Sequence, residues 1–273
     1  MSNAAVSVYA LASGSSGNAT LICTKETNIL IDCGLGIRKL SSLLHGKGVL
    51  ADNLHGILVT HEHIDHIAGL GNLCRRTGAP VFTNDATHQA CSLRDPLVNN
   101  QVSVPTGSEL RIGQLTVRSF AVPHDASEPV GWVVQHEDWR MCYFTDAGIV
   151  TDAMKSGLCG ADLAIVEANH DVEMLRRGPY TSDMKARVAS STGHLSNTQC
   201  ADALAAKVED EGPATIWLAH LSRVNNSPAV ARNTVMQGIK SRTKTTFSLE
   251  VAHRDSPSAT YHRGMRAVQL SLF

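Results

Sequence analysis

The stretch His61-Glu62-His63-Ile64-Asp65-His66 decides both the fold and the chemistry of this chain. It places three histidines and one aspartate within six residues, directly after the apolar run at residues 56–60. That run is short and rich in branched side chains, which is typical of a buried strand. Ligands at the carboxyl end of a strand are typical of open α/β active sites. The stretch therefore predicts half of a hydrolytic site that holds two metal ions.

The clustering of these residues distinguishes them from ordinary histidines. A single histidine is more often a surface residue or a satisfied core residue than a ligand. Burying three histidines and an aspartate without partners would cost several kcal/mol, whereas a divalent cation satisfies their lone pairs. We therefore expect this stretch to bind metal.

The composition is that of a protein with a large core. The chain has 273 residues, of which 43% are apolar, and this supports a substantial domain. Seven scattered cysteines without a C-x-x-C pair favour a reducing compartment. We find no signal peptide and no membrane span, so we expect a cytoplasmic protein without a membrane partner. The net charge of −1 gives no reason by itself to expect nucleic acid.

Alternating β-like runs and helical patterns predict layered α/β architecture. Three strand-like runs precede a helical pattern at residues 37–44. Later strand-like runs at residues 141–145, 163–166 and 214–219 each lead into polar residues and then a helix. We predict one domain over residues 1–252 and a flexible tail over residues 253–273.

A two-metal site needs more ligands, and the ends of later strands are where we expect them. His124, Asp146 and His220 each follow an apolar run. Taken singly, Asp146 could be only a turn residue and His220 only a strand-end histidine. Taken together, the three complete the ligand count of two metal sites.

With these residues in place, the chain resembles a metallo-β-lactamase-fold hydrolase. The resemblance also includes Ile31-Asp32-Cys33-Gly34 and Phe144-Thr145-Asp146-Ala147-Gly148. It implies an α/β fold arranged as a four-layered αββα sandwich. It further implies that His61, His63 and His124 bind one metal, that Asp65, His66 and His220 bind the other, and that Asp146 bridges them. Asp32 and Glu167 would orient the ligating histidines.

Within that superfamily the chain is similar to the YycJ/WalJ-type branch, which implies a 5'-to-3' DNA exonuclease that acts in DNA repair. The similarity spans most of residues 6–226. Ile64 departs from the small polar residue expected at its position, which is not a ligand position. The segments that carry the similarity are Ser13-Gly14-Ser15-Ser16-Gly17-Asn18, His124-Asp125-Ala126, Glu167-Ala168-Asn169-His170-Asp171, Gly193-His194-Leu195-Ser196-Asn197 and His220-Leu221-Ser222.

The chemistry that these ligands predict is hydrolysis by a metal-bound hydroxide. Two divalent cations about 3.5–4 Å apart lower the pKa of a shared water and stabilise the attacking and leaving oxygens. We hypothesise in-line attack of the bridging hydroxide on phosphorus, with Asp65, Asp146 and His194 as catalytic residues. The histidine and carboxylate ligands suit Zn or Mn, and also Fe.

Residues around the ligands are candidates for substrate binding. His194 precedes a helix capped by Ser196 and Gln199, where it could hold a phosphate, protonate the leaving oxygen or merely lie beside a surface helix. The loop with Ser13, Ser15, Ser16 and Asn18 could cradle a phosphate or simply form a hairpin. His170 and Arg223 are further candidates. Arg176, Arg177, Lys185 and Arg187 could contact a phosphate backbone, but a solvated helix face explains these four residues equally well.

The last five residues predict a protein partner. Gln269, Leu270, Leu272 and Phe273 resemble the short peptide by which bacterial replication and repair proteins bind the sliding clamp. Apolar side chains on a polar tail usually dock somewhere, either on a partner or on their own domain.

We expect DNA as the substrate, with RNA as an alternative.

Other functions remain open at this point. One is an RNA-processing enzyme or a phosphodiesterase for small cyclic esters. Another is a glyoxalase-II-like thioesterase, which could use the same metals. A third is a repair adaptor whose metal site only stabilises the domain, although structural sites do not normally need two metals.

Overall fold

The computed structural model describes residues 5–96, 98, 100–208 and 212–263. The tail peptide Gln269, Leu270, Leu272 and Phe273 lies outside these residues. Among the helices in the described ranges, none is long and apolar enough to span a bilayer.

Strand-rich and helical segments alternate along the described residues, in agreement with the layered α/β prediction. The strands are β1 (Val6–Ala12), β2 (Ala19–Cys23), β3 (Asn28–Ile31), β4 (Gly56–Leu58), β5 (Val81–Thr83), β6 (Gln101–Ser103), β7 (Glu109–Ile112), β8 (Leu115–Ala121), β9 (Val130–His136), β10 (Trp139–Phe144), β11 (Leu163–Glu167), β12 (Thr215–Ala219), β13 (Ser248–Val251) and β14 (Thr260–Arg263). The helices are α1 (Ile37–His45), α2 (Ile64–Ile67), α3 (Leu70–Thr77), α4 (Asp85–Arg94), α5 (Asp152–Leu158), α6 (Val172–Arg177), α7 (Ser182–Val188), α8 (Asn197–Val208) and α9 (Pro228–Lys240).

The strands form two mixed sheets. The first has the order β14-β1-β2-β3-β4-β5-β6, and the second has the order β13-β12-β11-β10-β9-β8-β7. In each sheet part of the pairing is antiparallel. The parallel pairs include β3 with β4 in the first sheet and β10 through β13 in the second sheet. Parallel strands end at the same edge, so the loops that follow them lie together.

Side-chain alternation along the strands builds three apolar layers. Met141 and Tyr143 of β10 pack between the two sheets, whereas Cys142 and Phe144 pack with the helices outside the second sheet. Leu30 of β3 packs on the opposite outer face with the α1 residues Leu40 and Leu44. One layer therefore lies between the sheets and one lies under each helical face, which confirms the predicted αββα sandwich.

The segment from the histidine-rich stretch onward forms two helices, α2 and α3, instead of one continuous helix. The chain breaks at Gly69, whose N–H donates to the carbonyl of Cys33 over 2.8 Å. A Cβ on Gly69 would collide with the carbonyl oxygen of Leu35. The break thus lets the ligand-bearing turn pack closely against the loop after β3.

The domain extends further toward the carboxyl end than the sequence indicates. Residue 253 was expected to begin a tail, but Thr260–Arg263 pairs antiparallel with β1, with Val6 opposite Arg263. Ala259 is buried, and Arg263 forms ion pairs with Asp138 and Asp162. β14 is an edge strand with partly exposed residues, so it lacks the apolar pattern of a core strand.

Candidate metal centre

The candidate site forms where strands of the two sheets end. Asp32 follows β3, Asp146 follows β10 by one intervening residue, and His220 follows β12. These three residues have left-handed φ angles of 62°, 59° and 54°. A non-glycine residue in this region is strained by about 1–3 kcal/mol, and such strain concentrates at functional sites. The sharp turns keep these side chains at the strand ends instead of carrying them away along the loops.

One group of nitrogen ligands comes from His61, His63 and His124. One ring nitrogen from each lies within 4.8 Å of the others. His124 Nδ1 lies 3.1 Å from the carbonyl oxygens of Thr192 and Gly193, and this leaves Nε2, 3.3 Å from His63 Nδ1, for a ligand. The Nε2 atom of His61 is buried and has no hydrogen-bond partner among the described residues. A divalent cation would satisfy these converging lone pairs.

A second group comprises Asp65, His66 and His220, whose ligand atoms also lie within 4.8 Å of one another. His220 Nε2 lies 3.3 Å from Asp65 Oδ2. His66 Nδ1 lies 2.7 Å from Asp32 Oδ2, so Nε2 of the same ring faces the other ligands. The ring orientations again leave one nitrogen of each histidine for a cation.

Asp146 lies between the two groups. Its Oδ2 atom is 3.1 Å from His66 Nε2, and its Oδ1 atom is 3.7 Å from His124 Nε2 and 3.3 Å from His220 Nδ1. One carboxylate therefore approaches histidines of both groups. All seven residues that the sequence suggested as ligands are brought together at one place.

Two fully buried carboxylates contact the Nδ1 atoms of histidines in the site. Asp32 accepts a hydrogen bond from the Thr60 backbone N–H and also contacts His66. Glu167 Oε1 lies 2.9 Å from Nδ1 of both His194 and His220. Glu167 Oε2 accepts hydrogen bonds from the backbone N–H groups of Ala147 and Leu195. These contacts orient the rings, as hydrogen bonds behind metal ligands usually do.

The charges of the site are compensated by protons when no cation is bound. Burial and the neighbouring His66 lower the pKa of His61, so its ring is neutral. Burial alone would lower the pKa of His66, but Asp32 and Asp146 raise it well above its ordinary value. Burial would raise the pKa of Asp146, yet His220 and His66 hold it well below its usual range. A divalent cation would replace the protons on these histidines.

A cleft of about 300 Å³ opens beside this cluster. Its inner wall includes His194, whose side chain is 22% exposed and whose Nδ1 is held by Glu167. Burial opposes protonation of His194, but Glu167 outweighs it and raises the pKa of the ring. The outer wall carries Arg187, which is paired with Asp125. The cleft is lined by Ser15, Asp125, Asn169, Tyr180, Met184, Arg187, Val188, Gly193, His194 and Ser222.

Several candidate substrate residues serve the protein interior instead. The Ser13 hydroxyl accepts a hydrogen bond from the His220 N–H over 2.8 Å. Asn18 accepts from the Gly14 N–H and donates to the backbone carbonyl of Asp65. His170 is buried and does not line the cleft, and its carbonyl accepts from the Asn197 N–H. These contacts fix Ser13 and Asn18 within the site; Ser13 also lines the groove beside Arg223, and Asn18 Nδ2 lies 3.1 Å from His66 Nε2.

The other candidates lie on the surface. Ser15 is exposed and lines the cleft, whereas the Ser16 hydroxyl donates to Asp255. Arg223 is exposed and lines a neighbouring groove of about 290 Å³ that shares Ser222 with the cleft.

The sequence patterns missed part of the site. Thr60 contacts Asp32, His61 and His66 through its hydroxyl, and its place between β4 and the first ligand was the available signal. The pairing of Arg187 with Asp125 joins residues 62 positions apart, which no local pattern indicates.

Comparison with known proteins agrees with this geometry. A family model described as a beta-lactamase superfamily domain matches residues 27–221. Exodeoxyribonuclease YycJ of Bacillus anthracis is 39% identical over 240 residues, covering 85% of this chain and 88% of the relative. Exodeoxyribonuclease WalJ of Streptococcus pneumoniae is 38% identical, covering 83% of this chain and 85% of the relative.

The chain belongs to the beta-lactamase superfamily, in its YycJ/WalJ branch. It is a metal-dependent hydrolase. The fold of the superfamily is also found in YhfI of Bacillus subtilis, a metallo-β-lactamase fold protein of known structure. That structure superposes with a TM-score of 0.71 at 18% identity, covering 95% of this chain and 99% of the other.

We predict that the metal-free protein is most stable in mildly acidic solution. Burial would raise the pKa of Asp65, but His66 and His220 lower it to about 2. Burial would also raise the pKa of Glu167, but His194 and His220 lower it to about 2. The stability from these carboxylates is lost as pH falls toward that value. Asp146 and Asp65 outweigh burial and raise the pKa of His220 to about 10, so its contribution is lost as pH rises from about 6.5.

Thermal unfolding in the presence of a chelator measures this. The melting temperature should be higher near about pH 6 than near about pH 9, and added Zn or Mn should raise it most at the alkaline value. In the Glu167→Gln variant the melting temperature should fall less between the two pH values, because the neutral amide stabilises the proton on His220 less strongly than the carboxylate does. A chelated protein that gains stability between these two pH values would contradict the assignment.

Proposed function

We propose that this chain is a two-metal phosphodiesterase that acts as a 5'-to-3' DNA exonuclease in DNA repair. The observation that carries the proposal is the position of Asp146 between two complete ligand groups, with His194 and an open cleft beside them. The YycJ and WalJ relatives, which are named exodeoxyribonucleases, align with most of this chain.

Two metal ions account for the ligand arrangement better than one. His61, His63 and His124 form one group, and Asp65, His66 and His220 form the other. These two groups have no member in common, and Asp146 contacts both and forms further possible groups with His61 and His66 and with Glu167, His194 and His220. We assign Asp146 as the bridging ligand. The mixed nitrogen and oxygen donors suit Zn or Mn, and also Fe.

The protein's own residues would direct the reaction. When bound, the two cations would lower the pKa of a water and stabilise charge on the oxygens of a phosphate. Glu167 keeps His194 close to Asp146, with 3.5 Å between His194 Nδ1 and Asp146 Oδ1. Because Nδ1 of His194 faces Glu167, Nε2 is the atom left to face a substrate. We assign His194 to holding the phosphate or protonating the leaving oxygen.

Positive charge on both sides of Ser222, beside the candidate metal centre, favours a phosphodiester strand over a thioester. Arg187 lines the cleft on one side of Ser222, and Arg223 and Arg254 line the groove on the other side. Arg254 donates to the carbonyl of Leu221 over 2.8 Å, which fixes it beside the loop that follows β12. A strand that crosses Ser222 would meet a guanidinium group at each end of its path.

Site variants should separate metal binding from catalysis. Asp146→Ala and His66→Ala should lose bound metal and all DNA cleavage, because each removes a ligand between buried charges. His194→Ala should keep its metal but lose roughly 100-fold or more in turnover, the range of a general acid or a phosphate-binding group. Full activity in His194→Ala would remove that residue from catalysis.

The measurement is metal content by mass spectrometry together with digestion of end-labelled single- and double-stranded DNA and RNA in Mn or Zn. Arg176→Ala is the matched surface control, since Arg176 is paired only with its helical neighbour Glu173 among the ion pairs of the described residues. A thioester substrate is included. Cleavage of RNA alone would favour RNA processing, and turnover of the thioester alone would overturn the phosphodiesterase proposal.

The proposal extends to the tail and to a cytoplasmic place of action. We propose that Gln269, Leu270, Leu272 and Phe273 dock in the groove of a bacterial sliding clamp and tether the nuclease to DNA. Deleting residues 269–273 should abolish pull-down by the purified clamp and leave metal content and cleavage of short DNA unchanged. Undiminished pull-down by the deleted protein would show that the tail is not the tether.

A further inference from the structure

The cleft beside His194 has one wall that the metal chemistry does not use. Helix α7 forms this wall, and Met184, Arg187 and Val188 all line the cleft. These positions are three and four residues apart, so they share one face of the helix. Tyr180, just before the helix, lines the same cleft.

Close packing fixes this wall against the catalytic segment. The His194 N–H donates to the Val188 carbonyl over 2.9 Å. A Cβ on Gly193 would collide with the carbonyl oxygens of Arg187 and Val188. The end of α7 therefore packs directly against Gly193 and His194. These contacts fix the position of the wall relative to the candidate metal ligands.

The wall presents both an apolar and a cationic surface. Met184 is 42% exposed and Tyr180 is half-buried, so a large thioether and an aromatic ring stand at the opening. Exposed apolar side chains inside a cleft are available for a planar ligand group, and nucleobases stack on aromatic rings with little sequence preference.

The guanidinium of Arg187 forms an ion pair at the cleft wall. Both Nε and Nη2 lie 2.7 Å from Asp125 Oδ2. Asp125 Oδ1 lies 3.3 Å from His124 Nε2, so the pair reaches from the ligand group to the cleft wall. An exposed ion pair adds little stability, but it holds the remaining N–H groups of Arg187 in place for an anion. The neighbouring Arg176 and Arg177 instead pair with Glu173 within their own helix.

We propose that this cleft is the subsite for the terminal nucleotide of the strand, with the base packed on Tyr180 and Met184 and its phosphate bound by Arg187. The inference rests on the proposed nuclease function and adds how the end of the strand is recognised. The cleft volume of about 300 Å³ suits one nucleotide and is too small for a stretch of duplex. The released product is then a deoxynucleoside monophosphate that fits the same subsite.

Product binding tests this subsite independently of cleavage. Isothermal titration calorimetry on the metal-loaded protein would compare thymidine 5'-monophosphate with 2-deoxyribose 5-phosphate, which lacks the base. The wild-type protein should prefer the nucleotide by roughly tenfold or more, the usual effect of stacking one base. Tyr180→Ala should remove most of this preference, and Tyr180→Phe should keep it, because the aromatic face is what the base needs.

The phosphate contact has its own variants. Arg187→Ala should weaken both ligands equally, by roughly tenfold, because it removes a charge-assisted hydrogen bond to the phosphate. Arg187→Lys should recover part of that affinity. Arg176→Ala, which changes an exposed arginine outside the cleft, should bind both ligands as the wild type does.

The outcomes separate the subsite from the nuclease proposal. Equal wild-type affinity for the two ligands, or a base preference that survives in Tyr180→Ala, would overturn the subsite. A base preference that depends on Tyr180, in a protein that cleaves no DNA, would support the subsite and contradict the nuclease function alone. Unchanged melting temperatures in the variants would confirm that each effect is local.

Discussion

The buried carboxylate of Glu167 holds the site together. It lies at the end of β11 with no solvent exposure, and its two oxygens contact His194, His220, Ala147 and Leu195. These partners come from three separate loops. Because a buried charge without partners is costly, each loop is constrained to bring its donor to this point. The same contacts orient one ligating histidine and the histidine of the cleft.

The candidate metal ligands could be picked out from the sequence because strand ends are local signals. His61 follows an apolar run in the first sheet. Asp146 and His220 follow apolar runs in the second sheet, where β10, β11 and β12 are parallel and end at a common edge. The direction of loop side chains is not a local property. Ser13 and Asn18 sit in a glycine-rich loop that suggests a phosphate cradle, yet their polar groups are taken by His220 and Asp65.

Two other features depend on distant partners, which local sequence patterns do not indicate. β14 is stabilised by pairing with β1 and by the contacts of Arg263 with Asp138 and Asp162. The polar sequence of β14 alone does not predict a strand. Arg187 resembles its surface neighbours in sequence, and only Asp125 distinguishes it. The sequence thus indicates the candidate metal ligands, whereas the residues that line the cleft beside them come together only through tertiary contacts.

The central proposal is that Asp146 would be a ligand of two metal ions at these strand ends. Anomalous diffraction from crystals of the protein grown with Zn or Mn measures this most directly. We predict two peaks about 3.5–4 Å apart, one beside His61, His63 and His124 and the other beside Asp65, His66 and His220, with Asp146 between them. A single peak, or a pair that Asp146 does not touch, would contradict the account.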